Sequence, residues 1–433
     1  MKRACPLPGW PRRERWLLHY HDREKIFAMM QNALLVKRWR NLGFVALLTF
    51  AGASVANAAD GPVPDSQQPS ISPQDFMPDP PKIAATSWVL MDAASGDVIY
   101  AHDEHKRLPP ASLTKLMTAY LAEYEMAAGR LHGDDQALVS EHAWRTGGSR
   151  MFLKPNTRVS IDELMSGIVV QSGNDAAVTM AEHIGGSEDS FAQLMNQHAQ
   201  MLGLKDTHFV NATGLPHDNH YSSAYDLAEL SRHITDDYPE HYKLYKEKEF
   251  VYNGIRQPNR NLLLWRDKRI DGLKTGHTDA AGYCMVASGT ENGSRMIAVV
   301  LGTTSEAARA QETLKLISYG FRYFHTRKLF DAGHVVQNAR VWGGANTTVP
   351  VGFPQDVYVT LPQNKMKGLS QRVEMESDLD APISKGQVLG KLSIVHDGEV
   401  VTSRPLVALE ADDEGGFIRK GWDSIVRTVT GWF

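Results

Sequence analysis

The chain of 433 residues carries 46 Lys and Arg against 50 Asp and Glu, a formal net charge of −4. With no long run of one sign it lacks the basic footprint of a nucleic-acid binder, which excludes that class of partner. Its length suffices for two or three compact domains, so a buried core presents no difficulty.

In chain order, the first signal is Lys37, Arg38 and Arg40 ahead of an apolar run over 42–53, followed by the small residues Ala56, Asn57 and Ala58. That is the order of a secretory signal peptide cut after Ala58. The apolar run is short for a permanent span; an uncleaved N-terminal anchor is the alternative. Residues 1–28 stand upstream of the signal's charged region, which points to Met29 or Met30 as the start. Export removes Cys5 and leaves Cys284 alone, so the mature chain holds no intramolecular disulfide. Set in an apolar run, Cys284 reads as a buried, inert thiol. Prolines at 62, 64, 69, 73, 78, 80 and 81 make 59–82 an extended leader.

Strand-like runs at 87–92 and 97–101 flank Ser95-Gly96, a hairpin signal. A helix is predicted over 112–128, with Leu113, Leu116, Met117, Tyr120 and Leu121 on one face. Helical spacing recurs over 160–169, 175–184, 188–201 and 224–234. Two strands, 282–288 and 295–301, are joined through Asn292-Gly293, a strong hairpin signal, and a closing helix spans 306–323. Strands at both ends with helices between them imply an α+β domain, an antiparallel sheet packed with helices. From 335 to 409 short alternating runs such as 357–361 and 392–394, with turns at Gly352, Lys385-Gly386 and Asp397-Gly398, predict a small all-β domain without a catalytic cluster. The organisation expected is therefore 1–58 extension and signal, 59–82 leader, 83–328 catalytic domain, 329–410 β-rich domain and 411–433 terminal helix.

Three short motifs carry chemistry. Ser112 and Lys115 open a helix three residues apart, on one face, where an amine can take the hydroxyl proton. The amine serves only if burial or a second cation lowers its pKa. Ser172-Gly173-Asn174 lies between two helices, where a hydroxyl and an amide can relay protons or hold substrate; alone it reads as an ordinary turn and cap. Lys274-Thr275-Gly276 offers a cation and a hydroxyl to a carboxylate, with a glycine for close backbone approach. Each is weak alone. In this order and at this spacing they form the signature of β-lactamases and penicillin-binding proteins.

With 110–118, 169–175, 245–260 and 271–282, the chain resembles the low-molecular-mass penicillin-binding proteins, the D-alanyl-D-alanine carboxypeptidases, from about Ile83 to its end. The resemblance implies a β-lactamase/transpeptidase-like domain, then the small all-β domain and an amphipathic C-terminal helix. It implies that Ser112 is the acyl-ester nucleophile, Lys115 its general base, and Ser172 and Asn174 relay and holding residues. Lys274, Thr275 and Gly276 would grip the substrate carboxylate, and the backbone N–H groups of Ser112 and His277 would form an oxyanion hole. His277 acts on this reading through its backbone. Arg260 and Arg309 stand where the family has arginines near that carboxylate, although the segment from Arg260 to Lys274 is slightly shorter than in the family. For Arg309 a solvated charge on the closing helix is an equal alternative.

The implied reaction is removal of the terminal D-alanine from peptidoglycan pentapeptides, with β-lactam antibiotics as covalent inhibitors and no cofactor or metal. Rival readings are a crosslink-cutting DD-endopeptidase, a β-lactamase and a catalytically silent wall-binding protein. Against the β-lactamase, no acidic loop between Ser172 and Lys274 suits a deacylating water, and Gly173 stands where those enzymes commonly have Asp. The terminal stretch 415–433 sets Phe417, Ile418, Trp422, Ile425, Val426, Val429 and Phe433 near one helical face with Arg419, Lys420 and Arg427 elsewhere, as in a helix lying in a membrane interface; packing on the β domain is the alternative. The expected location is the periplasmic face of the inner membrane. The sequence leaves a homodimer open.

Overall fold

The computed structural model describes residues 77–430; the expected signal peptide and most of the leader fall outside the described residues. A five-stranded antiparallel sheet organises the first part. Its strands are β1 (Ser87–Asp92), β2 (Val98–His102), β3 (Ile270–Thr278), β4 (Gly282–Glu291) and β5 (Ser294–Thr303), in the order β2-β1-β5-β4-β3. Alternation along β5 explains how it is covered on both faces. Ile297, Val299 and Leu301 join the core shared with the helical middle, whereas Met296, Ala298 and Val300 join a second core. Burial on both faces is why β4 and β5 read as continuous apolar runs.

Between β2 and β3 come α1 (Lys115–Ala127), α2 (Ile161–Ser166), α3 (Asn174–Gly185), α4 (Glu188–Met201) and α5 (Ala224–Asp237). Ser160 caps α2 in a capping box with Glu163, and Ser187 and Ser223 cap α4 and α5 by accepting from the N–H three residues on. The long closing helix α6 (Glu306–Tyr323) contributes Ala310, Leu316 and Ile317 to the second core. The helix predicted over 160–169 instead leaves α-geometry at Gly167 for a π turn, Gly167–Gln171, which delivers Ser172 in a left-handed conformation at φ 65°. Such wide turns recur where a helix must set a functional residue off its own face.

The β-rich part holds β6 (Phe324–Phe330), β7 (Val335–Trp342), β8 (Thr348–Gly352), β9 (Val357–Pro362), β10 (Leu369–Met375), β11 (Leu379–Asp380), β12 (Val388–His396) and β13 (Glu399–Ala408). They form a six-stranded sheet, β10-β12-β13-β8-β7-β11, and a separate β6-β9 pair, around a core that includes Val341, Val351, Leu389, Leu392 and Leu406. The Ser95-Gly96 turn, expected only as a hairpin, is where this part docks. Arg404 of β13 donates to Asp97 at 2.8 Å and to the Ser95 carbonyl at 3.0 Å, and the Thr360 N–H reaches Asp97 at 3.1 Å. The last helix, α7 (Phe417–Thr430), begins two residues later than the predicted 415–433; residues 431–433 lie outside the described residues.

One buried group is energetically conspicuous. Glu123 of α1 is fully buried and neither carboxylate oxygen has a hydrogen-bond partner; burial pushes its carboxyl well above the ordinary carboxylate range. The folded state therefore holds this proton more tightly than the unfolded chain. Stability from the group is full at acid pH and is lost as pH rises through the unfolded-state pKa toward the folded one. Glu123→Met is expected to stabilise the protein by about 2 kcal/mol near neutrality, with a smaller gain at pH 5 than at pH 8. Urea midpoints at the two pH values test this; an equal gain at both would show that the carboxyl does not titrate differently on folding.

Candidate active site

The chain enters the site through Pro110. Its carbonyl accepts the Leu113 N–H at 3.1 Å, closing a 3-10 turn (Ala111–Thr114) that runs into α1. Ala111 sits at φ 49°, a left-handed conformation that costs an alanine roughly 1–2 kcal/mol and turns Ser112 toward solvent. Two glycines let other backbone close on this turn. A Cβ on Gly276 would lie 3.0 Å from the Pro110 carbonyl and 3.2 Å from the Ser112 nitrogen; on Gly214 it would lie 1.8 Å from the Ala111 carbonyl. Neither approach is open to a larger residue.

Lys115 lies one turn below Ser112 and is 1% exposed. Its Nζ donates to Ser112 Oγ at 3.1 Å, to Asn174 Oδ1 at 2.7 Å and to the Thr213 carbonyl at 2.6 Å. Burial, and then the Arg260 charge, lower its pKa to about 7 against the pull of Asp175 and Glu188. An amine so poised is half deprotonated at neutral pH and within reach of a hydroxyl proton.

From the opposite wall come Ser172 and Asn174. The Ser172 hydroxyl is buried yet has no hydrogen-bond partner, although the residue lines the cavity; it is free to meet a ligand. Asn174 spans the site, with Nδ2 on the Gly147 carbonyl at 2.6 Å and Oδ1 on Lys115. Asp175 fixes the loop above by accepting the Met151 and Leu153 N–H groups at 2.8 and 3.0 Å.

Lys274, Thr275, Gly276 and His277 lie within β3, paired along β4. Thr275, Gly276 and His277 line the cavity. Lys274 lies beneath it, 3% exposed, with Nζ 3.2 Å from the Thr275 carbonyl; burial, helped by the charges of Lys115, Arg260 and Arg309, holds its amine well below the ordinary range. The His277 ring is exposed and lies 4.0 Å from the Tyr283 ring, tilted by 31° to it. Arg309 is no solvated charge: it is 3% exposed and donates from Nη1 to the Gly276 carbonyl at 3.2 Å. Arg260 is exposed and lines the same cavity. Together these residues enclose about 460 Å³, the size of a small-ligand cleft, with Ser112 between the Ser172-Asn174 wall and the arginine end.

The expected residues are thus brought to one cavity or directly beneath it. Sequence reasoning missed three supports: the Thr213 carbonyl, Asp175, and His220. His220 accepts the Val210 N–H at Nδ1 (3.1 Å) and meets Thr114 Oγ1 at Nε2 (2.7 Å). Burial presses its pKa down to about 4, so the ring is neutral with the proton on Nε2. Opposite Gly276 on β4, Cys284 is buried and its thiol is pushed up to about 11 by that burial. Among the described residues no group of three metal-ligating side chains occurs.

The family described as D-alanyl-D-alanine carboxypeptidase matches residues 74–305, and that described as penicillin-binding protein 5, C-terminal domain, matches 324–414. The chain is 43% identical to the D-alanyl-D-alanine carboxypeptidase DacA of Escherichia coli strain K12 over 366 residues, 83% of this chain and 91% of that one. It is similar to the crystal structure of penicillin-binding protein 5 from Haemophilus influenzae, with a TM-score of 0.72 and 42% identity over 78% of this chain and 100% of that one. Penicillin-binding protein D2 of Listeria monocytogenes, in its ampicillin-bound form, matches with a TM-score of 0.52 and 30% identity over 55% of this chain and 98% of that one.

Proposed function

The chain belongs to the D-alanyl-D-alanine carboxypeptidase family, and from that premise we propose that Ser112 is its acylated nucleophile and Lys115 its general base. The protein is a serine-type, penicillin-binding peptidase of the cell wall whose substrate is peptidoglycan. The observation that carries the assignment of roles is the 3.1 Å contact between Ser112 Oγ and a fully buried amine of pKa about 7.

In the proposed cycle Ser112 Oγ attacks the carbonyl between the two terminal D-alanines and passes its proton to Lys115 Nζ. The N–H groups of Ser112 and His277 receive the developing oxyanion. The terminal carboxylate lies at the Thr275, Arg260 and Arg309 end, where Lys274 regains its charge beside an anion. Ser172 carries a proton to the leaving amine, D-alanine departs, and Lys115 then activates the water that hydrolyses the ester. A β-lactam presents an acyl group and carboxylate with the same separation, and acylates Ser112. The test is D-alanine release from a pentapeptide ending in D-Ala-D-Ala, beside a crosslinked muropeptide. Release from the pentapeptide is expected; cleavage of the crosslinked substrate alone would make the enzyme an endopeptidase.

We further propose that the enzyme works at the periplasmic face of the inner membrane, held there by α7 after its signal is cut behind Ala58. Among the described residues no helix is long and apolar enough to cross a membrane. Support comes from the way the helix is used: Asp423 is buried and accepts the Gly343 N–H at 2.9 Å, so one side docks on the β-rich part, while Phe417 and Trp422 are 92% and 67% exposed. Aromatic residues with neighbouring Arg and Lys suit a headgroup layer. Removing residues 415–433 is expected to move the enzyme from the membrane pellet to the supernatant; retention in the pellet would overturn the anchor.

A further inference from the structure

The segment that carries Arg260 leaves a short hairpin, Glu249–Tyr252 paired with Ile255–Pro258, and runs on to the helical turn Leu263–Arg266. Its side chains alternate as in an extended strand: Gln257, Asn259 and Asn261 are buried, at 2%, 6% and 1% exposure, while Pro258 and Arg260 face outward. Apolar residues are the ordinary content of such a buried row. Here all three are carboxamides, and each reaches the backbone of a different part of the chain. Gln257 donates from Nε2 to the Met151 carbonyl at 3.2 Å, Asn259 from Nδ2 to the Glu247 carbonyl at 2.9 Å, and Asn261 from Nδ2 to the Gly272 carbonyl at 3.0 Å.

The last two amides also use their oxygens, so the backbone is gripped on both sides of Arg260. Asn259 Oδ1 accepts the Asn261 N–H at 2.9 Å, and Asn261 Oδ1 accepts the Leu263 N–H at 3.0 Å. The row spans the catalytic cavity from wall to wall. Met151 belongs to the loop that Asp175 holds beside Ser172, and Gly272 lies on β3 two residues before Lys274. Arg260 itself lines the cavity, and among the described residues its guanidinium has no hydrogen bond or ion pair. A long side chain without a partner is placed by its backbone. Its charge is nevertheless felt by both Lys115 and Lys274, so its placement bears on the reacting groups. Removing one amide leaves a buried carbonyl unpaired, a loss large enough for the segment to shift.

We propose that Asn259 and Asn261 are positioning residues that hold the Arg260 guanidinium at the carboxylate end of the cavity, in register with Lys274 on β3. This rests on the carboxypeptidase reading of that end. Asn261→Ala removes the tie to Gly272, and Asn259→Ala the tie to Glu247. Each is expected to raise KM for a pentapeptide ending in D-Ala-D-Ala by about tenfold, the scale of a lost hydrogen bond to a charged group, with a smaller change in kcat. Each should also move the pH midpoint of penicillin acylation upward, the direction expected for Arg260→Gln. The decisive comparison repeats each substitution in an Arg260→Gln background, where neither KM nor the midpoint should change further. An asparagine that only supports the fold would show the same loss in both backgrounds. Because the two asparagines are tied to different elements, one variant serves if the other fails to fold, as thermal melting will show. Effects that add to those of Arg260→Gln, single variants with wild-type KM and midpoint, or an Arg260→Gln protein unchanged in both, would overturn the positioning role. Penicillin acylation without D-alanine release would overturn the carboxypeptidase reading instead, and the midpoint comparison would still stand.

Discussion

Ser112→Ala is expected to abolish covalent labelling by penicillin and to lower D-alanine release on the order of 10⁶-fold, the scale on which serine hydrolases depend on their nucleophile. The argument is one of atoms. Ser112 Oγ is the hydroxyl that Lys115 contacts, at 3.1 Å, and the Ser172 hydroxyl on the facing wall has no such amine partner. The substitution deletes that oxygen and little else, because the turn is held by the Pro110 carbonyl and by the close backbones at Gly214 and Gly276. The variant should therefore melt near the wild-type temperature and still bind penicillin reversibly, seen as a thermal shift that dialysis removes. Stoichiometric labelling of a folded Ser112→Ala protein would sink the assignment and direct attention to Ser172.

Much of this site was legible because its chemistry rests on residue types at fixed spacing. Ser112 and Lys115 fall on one helical face in any helix that begins there, and the Ser172 and Lys274 motifs add polar groups at turns and strand edges. What the sequence hid has no residue-type signature. The third acceptor on Lys115 is a backbone carbonyl, at Thr213. Asp175 looks like a first-turn helix acid but captures two N–H groups more than twenty residues back. Strand β3 escaped detection because Asp271, Gly272, Lys274, Gly276 and His277 interrupt its alternation; its register comes from β4, not from its own pattern. The same holds for the junction of the two parts of the chain. Nothing local marks Asp97 and Arg404 as partners, since the pair exists only once a turn and a remote strand meet. By contrast α4 and α6 were found near their observed bounds because each has a face repeating at the helical period, and β1 and β5 because each is a short run buried on both faces and bounded by turn residues.

Acylation should fall about tenfold per pH unit below a midpoint near 7, since only the neutral amine accepts the Ser112 proton. The sign follows from the cause. Burial disfavours ammonium, so the amine is free above the midpoint and idle below it; an ordinary lysine, left near its usual pKa, would supply almost no base at neutrality. Penicillin acylation rates between pH 5 and pH 9 give the profile. Arg260→Gln removes the second contribution to the low pKa and should move the midpoint upward, whatever it does to the plateau through substrate binding. Lys115→Arg keeps a cation of similar reach but one that does not deprotonate, and should cost about 10²–10⁴-fold in acylation, the range of general-base catalysis. A profile flat from pH 5 to 9, or a Lys115→Arg protein that acylates at the wild-type rate, would take the proton away from Lys115. Lys274 would then be the rival proton acceptor, because its amine, buried beneath the cavity, is likewise held well below the ordinary lysine range.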